Sequence, residues 1–159
     1  MEVFISDCHF AGCNVGIQQG TNGTNTTWLQ VSVDRTTIAQ MSGNGIEVFS
    51  GKMAVSNSVI TQNSLGAGAI VIDAEMDLFN NQFNLNDIGV EVGTTSVVRL
   101  AGNDFTLNNV DIQCASTLVL DYGNILVGTE NGCTSYSAAS TLLPSSFFHS
   151  LLDFFFAMM

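Results

Sequence analysis

Met76 to Phe105 reads MDLFNNQFNLNDIGVEVGTTSVVRLAGNDF, and this stretch decides the fold. Met76-Asp77-Leu78 and Val98-Arg99-Leu100 each set two apolar residues around an outward one. Phe83 and Phe105 follow at the same distance from the last member of each triplet, and Asn81 and Asn103 stand between. The block that opens at Met76 therefore opens again at Val98. Alternation with period two is the mark of a strand with an inner and an outer face. A fixed longer period is the mark of stacked units, none of which can bury its apolar face alone.

Working outward, the triplet also appears as Val3-Phe4-Ile5, Val31-Ser32-Val33, Met53-Ala54-Val55 and Leu118-Val119-Leu120. The series steps evenly from Val31 to Leu118, and only the first interval, from Val3 to Val31, is long. The large residue that follows each triplet gives the column Phe10, Ile38, Ile60, Phe83, Phe105, Ile125. A second apolar pair is expected at Val15/Ile17, Ile46/Val48, Ile70/Ile72, Val90/Val92 and Val110/Ile112. Thr36, Ser58, Asn81 and Asn103 form one polar column, and Asn63, Asn86 and Asn108 form another. Small polar side chains serve the backbone of tight turns and, in a column, one another. A leucine-rich repeat has a similar period but a Leu and Asn spacing that this chain lacks. A β-sandwich would not produce aligned copies at this step.

These columns resemble the coils of the right-handed parallel β-helix repeats of the pectin-lyase-like superfamily, over residues 1–132. The fold class expected is therefore all-β: a right-handed parallel β-helix of about five coils, followed over residues 133–159 by a short apolar tail. In the tail Phe147, Phe148, Leu151, Leu152, Phe155 and Met159 fall at helical spacing behind Pro144. This segment reads as a cap over the last coil. The alternatives are a cleaved lipid-anchor signal behind the small residues 137–140, the one route by which a membrane would be a partner, and an aberrant exon.

The chain has 159 residues, 46% of them hydrophobic, enough for one domain with a sizeable core. Only 11% are charged, so the surface must be built from Asn, Ser, Thr, Gln and Gly. The net charge is −11, and the bases are Arg35, Lys52 and Arg99 alone. Phosphate neutralisation is beyond such a surface, which excludes nucleic acid as an expected partner. Strand-like sequence begins at once with Val3-Phe4-Ile5 and no signal peptide precedes it, so a fragment of a longer product is expected. An extracellular or cell-surface location is expected from the fold, from the N-x-T sequons at Asn22 and Asn25, which are glycosylation candidates, and from a disulfide candidate, Cys114–Cys133. Those two cysteines are separated by nearly one coil, which would bring their backbones within disulfide span.

The chemistry is sparse. Glu91 and Asp111 fall between the members of their expected apolar pairs, nearly one coil apart, and are read as stacked on neighbouring coils, with Asp73 nearby. Two close carboxylates suit general acid and base work in glycoside hydrolysis. They also suit Ca²⁺, the one metal considered; no other cofactor is expected. The strings that the superfamily's enzymes carry are missing: no aspartate pair is followed by Gly-His-Gly, and no Arg stands beside an acidic cluster. His9 and His149 are isolated. The function expected is a non-catalytic interaction module, binding glycans or other surface proteins. The alternative is a carbohydrate-active enzyme, lyase or hydrolase, or a degenerate relative, with Glu91, Asp111 and Asp73 as catalytic candidates.

Overall fold

The computed structural model describes residues 1–20, 29–115, 117–120, 123–126, 130–131 and 134–137. Every regular element among them is a strand. The first coil comprises β1 (Glu2–Ser6), β2 (His9–Ala11) and β3 (Ile17–Gln19). The second has β4 (Gln30–Asp34), β5 (Thr37–Ala39) and β6 (Ile46–Val48). The third has β7 (Lys52–Ser56), β8 (Val59–Thr61) and β9 (Ala67–Val71). The fourth has β10 (Glu75–Phe79), β11 (Gln82–Asn84) and β12 (Ile88–Val92). The fifth has β13 (Val97–Ala101), β14 (Asp104–Thr106) and β15 (Val110–Cys114). Then come β16 (Thr117–Leu120), β17 (Ile125–Leu126), β18 (Glu130–Asn131) and β19 (Thr134–Ser137). Three sheets result, with every pairing parallel: A (β1-β4-β7-β10-β13-β16-β19), B (β2-β5-β8-β11-β14-β17) and C (β3-β6-β9-β12-β15-β18). The molecule is a parallel β-solenoid.

The triplets stack as their spacing requires. Val3 pairs with Val31, which pairs with Met53, then Met76, Val98 and Leu118. Sheet A contributes Met53, Val55, Met76, Leu78, Val98 and Leu100 to the core, all fully buried. Sheet B adds Ile38, Ile60, Phe83 and Phe105, and the two phenylalanine rings stack with centroids 5.0 Å apart and planes 8° off parallel. Like residues stacking on like is how a one-dimensional array closes its core.

Both polar columns form ladders. At the A-to-B corner the N–H of Thr36 donates to Ser58 Oγ, that of Ser58 to Asn81 Oδ1, that of Asn81 to Asn103 Oδ1, and that of Asn103 to Asn124 Oδ1, each at 3.0 Å. The amide groups also donate backward: Asn81 Nδ2 to Val55 O, Asn103 Nδ2 to Leu78 O and Asn124 Nδ2 to Leu100 O, at 2.8–2.9 Å. The B-to-C corner repeats this through Asn63, Asn86 and Asn108. A buried amide is costly unless its donors and acceptors are served, and here coil-to-coil repetition serves them.

Three expectations are corrected. First, the inner pairs of sheet C are Ile17/Gln19, Ile46/Val48, Ala69/Val71, Val90/Val92 and Ile112/Cys114. Ile70/Ile72 point outward, and the pairs of the first and fifth coils sit one alternation later than expected. The cause is the column Gly16, Gly45, Gly68, Gly89, at the start of sheet C's strands, whose place Asp111 takes on the fifth coil. A Cβ on Gly45, Gly68 or Gly89 would lie 2.5–2.7 Å from the carbonyl oxygen of the next coil, so glycine sets the phase whatever the bulk of its neighbours. Second, Phe105 pairs with Leu126, while Ile125 pairs with Asp104 and is 56% exposed. The turn from Leu120 to Asn124 is longer by one than the turn from Leu100 to Asn103, which shifts the column. Third, β19 pairs with β16 and carries sheet A past residue 132, where the tail was expected to begin. Residues 138–159, including the candidate helical cap, lie outside the described residues.

Candidate functional site

The corrected register separates the candidate acids. Glu91 lies on the outer face of sheet C, in the column Gln18, Glu47, Ile70, Glu91, Gln113. Its neighbours along the solenoid axis are therefore Ile70 and Gln113. Asp111 takes the place that glycine holds in the four preceding coils, so it is not stacked on Glu91. It is only 1% exposed, and Asn108 Nδ2 donates to its Oδ1 at 3.1 Å. Asp73 stands at a third place, the corner between sheets C and A.

That corner holds a recess of about 400 Å³ lined by Gly51, Lys52, Asp73, Ala74, Glu75, Thr95 and Val97. Three coils supply it: Asp73 and Thr95 lie level on adjacent coils, with φ of 53° and 60°, and Gly51, with φ of 78°, lies level with Ala74. Thr95 Oγ1 donates to Asp73 Oδ1. The wall toward sheet A is an ion network. Lys52 Nζ lies 2.8 Å from Asp77 Oδ2, and Arg99 Nη1 lies 3.1 Å from Asp77 Oδ1 and 3.7 Å from Glu75 Oε2. The Asp77–Arg99 pair appears where the spacing placed it, on facing positions of β10 and β13. It is more enclosed than a surface pair, since Asp77 is only 9% exposed. The hydrogen bond to Asp77 is the largest cause that holds the Arg99 guanidinium above its ordinary pKa; desolvation opposes it, and the charges of Asp77 and then Glu75 add to it.

The third base, Arg35, forms a two-point contact with Asp7, at 2.8 Å on both oxygens, and also meets Asp34. This contact lowers the pKa of Asp7, chiefly by hydrogen bonding. Asp34 is lowered first by Asn57, then by Ser56. Arg35, Lys52 and Arg99 are each held by carboxylates, and none adjoins Glu91 or Asp111 in the register.

Among the described residues no three His, Cys, Asp or Glu side chains gather as a metal-holding group. Cys114 is disulfide-bonded; Cys133, its expected partner, lies outside the described residues, as do Asn22, Asn25 and Trp28. Cys8 and Cys13 are free and exposed. Lys52, Glu75 and Thr95 escaped the sequence reading as members of a site. The step from Asp73 to Thr95, equal to that from Met76 to Val98, was the signal that could have found the corner. Compared with known proteins, the chain matches no family model, no curated protein and no solved structure.

Proposed function

We propose that this solenoid is a non-catalytic interaction module of the cell surface or extracellular space, presenting polar faces and a corner recess to a ligand. The observation that carries this reading is the placement of the acids. Glu91 lies on an outer face between Ile70 and Gln113, Asp111 is buried beside Asn108, and Asp73 sits at the opposite corner of sheet C. General acid and base catalysis needs two groups within reach of one reacting bond. The module reading needs only a rigid frame with exposed polar side chains, which the ladders and strands supply. The kinship with the pectin-lyase-like superfamily belongs to the same proposal, supported by the coil period and the asparagine columns.

The test is turnover. Purified protein incubated with pectin, polygalacturonate and neutral glucans, with and without Ca²⁺, is expected to release no reducing ends or unsaturated products. Turnover abolished by Glu91→Gln or Asp111→Asn would overturn the module reading in favour of a carbohydrate-active enzyme.

A further inference from the structure

Resting on the module reading, we propose that the recess between sheets C and A is a subsite for a neutral saccharide, whose hydroxyls bridge Lys52, Asp73, Glu75 and Thr95. The recess sets donors beside acceptors on three successive coils. Lys52 Nζ can donate, and the carboxylates of Asp73 and Glu75 and the oxygen of Thr95, whose proton goes to Asp73, accept. A sugar hydroxyl both donates and accepts, so it can enter between an ammonium and a carboxylate and satisfy both. Lys52 and Glu75 side chains are 40% and 51% exposed, which leaves them open to such a ligand.

Other ligand classes fit less well. A peptide added as a strand needs a free sheet edge, and β7, β10 and β13 are each paired on both sides. An apolar ligand needs a wall of large apolar side chains, whereas the apolar lining here is Ala74 and Val97. An acidic polysaccharide meets a chain of net charge −11 whose Lys52 and Arg99 are already held by Asp77. Coils stack about 4.8 Å apart, so a linear glycan lying along the axis passes the corner residues one coil at a time.

The experiment is native affinity electrophoresis of the full chain through gels cast with β-glucan, xylan or galactomannan, with polygalacturonate as the acidic comparison. Retardation in at least one neutral gel and none in polygalacturonate is expected. The double variant Asp73→Gly/Thr95→Gly is expected to weaken the apparent Kd at least tenfold. It should still fold, because Asp73 and Thr95 hold φ of 53° and 60°, backbone that glycine adopts without strain. Glu75→Gln is expected to weaken binding as well, and Gln82→Ala, on the outer face of sheet B, to leave it unchanged. No retardation in any neutral gel, or stronger retardation in polygalacturonate, overturns the ligand class. Wild-type retardation of the double variant overturns the location and leaves the module reading standing. Cleavage of the polysaccharide takes down the module reading itself.

Discussion

Asn81 joins three coils through one side chain. Its Oδ1 accepts the N–H of Ser58 at 3.0 Å, and its Nδ2 donates to Val55 O at 2.9 Å and to Asn103 Oδ1 at 3.1 Å. Replacing it with leucine keeps the approximate volume and removes every polar contact. The Ser58 N–H then loses its acceptor while still buried, which costs about 1–3 kcal/mol, and the lost amide-to-carbonyl bond adds about 0.5–1.5 kcal/mol. The sum, about 1.5–4.5 kcal/mol, is a large share of a typical stability of about 5–15 kcal/mol. Serine provides the internal comparison, because Ser58 already serves the N–H of Thr36 through its hydroxyl at 3.0 Å. Asn81→Ser keeps an acceptor for Ser58 N–H and loses only the amide donor, so it should cost about 0.5–1.5 kcal/mol. The assay is equilibrium urea unfolding followed by far-UV circular dichroism, with all three proteins fitted to a common slope. If the leucine variant is no less stable than the serine variant, the ladder does not hold the coils together and the argument fails.

Gly68→Ala places a Cβ 2.7 Å from Gly89 O and 2.9 Å from Phe83 Cδ1, and by thermal melting it should lose about 1–3 kcal/mol, as overpacked cores do. At Gly12 (φ 71°) nothing lies within 4 Å of an added Cβ, so Gly12→Ala should show only the left-handed backbone cost of about 1–2 kcal/mol. A double-mutant cycle on Asp77 and Arg99 should give a coupling of about 0.2–1 kcal/mol that shrinks in high salt, since the Arg99 side chain is 40% exposed; zero coupling in low salt would contradict the contact. Asp7 and Asp34 have folded pKa values below the ordinary carboxylate value, so their contribution is present above that value and is lost as pH falls through the lowered folded pKa. In an NMR titration Arg35→Ala should return Asp7 toward its ordinary value and leave most of the Asp34 shift in place, because Asn57 and Ser56 cause most of it.

The parts legible in the sequence were those where one kind of signal stood alone. In sheet A the residues inside the triplets are large and apolar, while their outer neighbours include Ser32, Asp77 and Arg99, so hydrophobic alternation has a single phase. The ladder columns were legible because a buried turn that repeats needs a short side-chain acceptor each time, and Asn81, Asn103, Asn86 and Asn108 recur at a constant step.

In sheet C two signals compete. In Ala67-Gly68-Ala69-Ile70-Val71-Ile72 the bulkier alternate residues are Ile70 and Ile72, yet Ala69 and Val71 face the core. Hydrophobic transfer favours burying isoleucine over alanine by about 2 kcal/mol at a fully buried position. A Cβ 2.7 Å from the Gly89 carbonyl oxygen is a harder constraint, because backbone cannot give way without unstitching two coils. Steric exclusion therefore outranks bulk, and Gly16, Gly45, Gly68 and Gly89 were the positions to align first. The fifth coil hid this rule, since Asp111 occupies the glycine place, and an acid flanked by Val110 and Ile112 looks like an outward residue. Aligned on glycine, the same sequence separates Asp111 from Glu91, puts Gln113 opposite Glu91, and leaves Asp73 level with Thr95 at a corner. The misread phase of one strand had created the appearance of a carboxylate pair; the corrected phase removes it and exposes the recess.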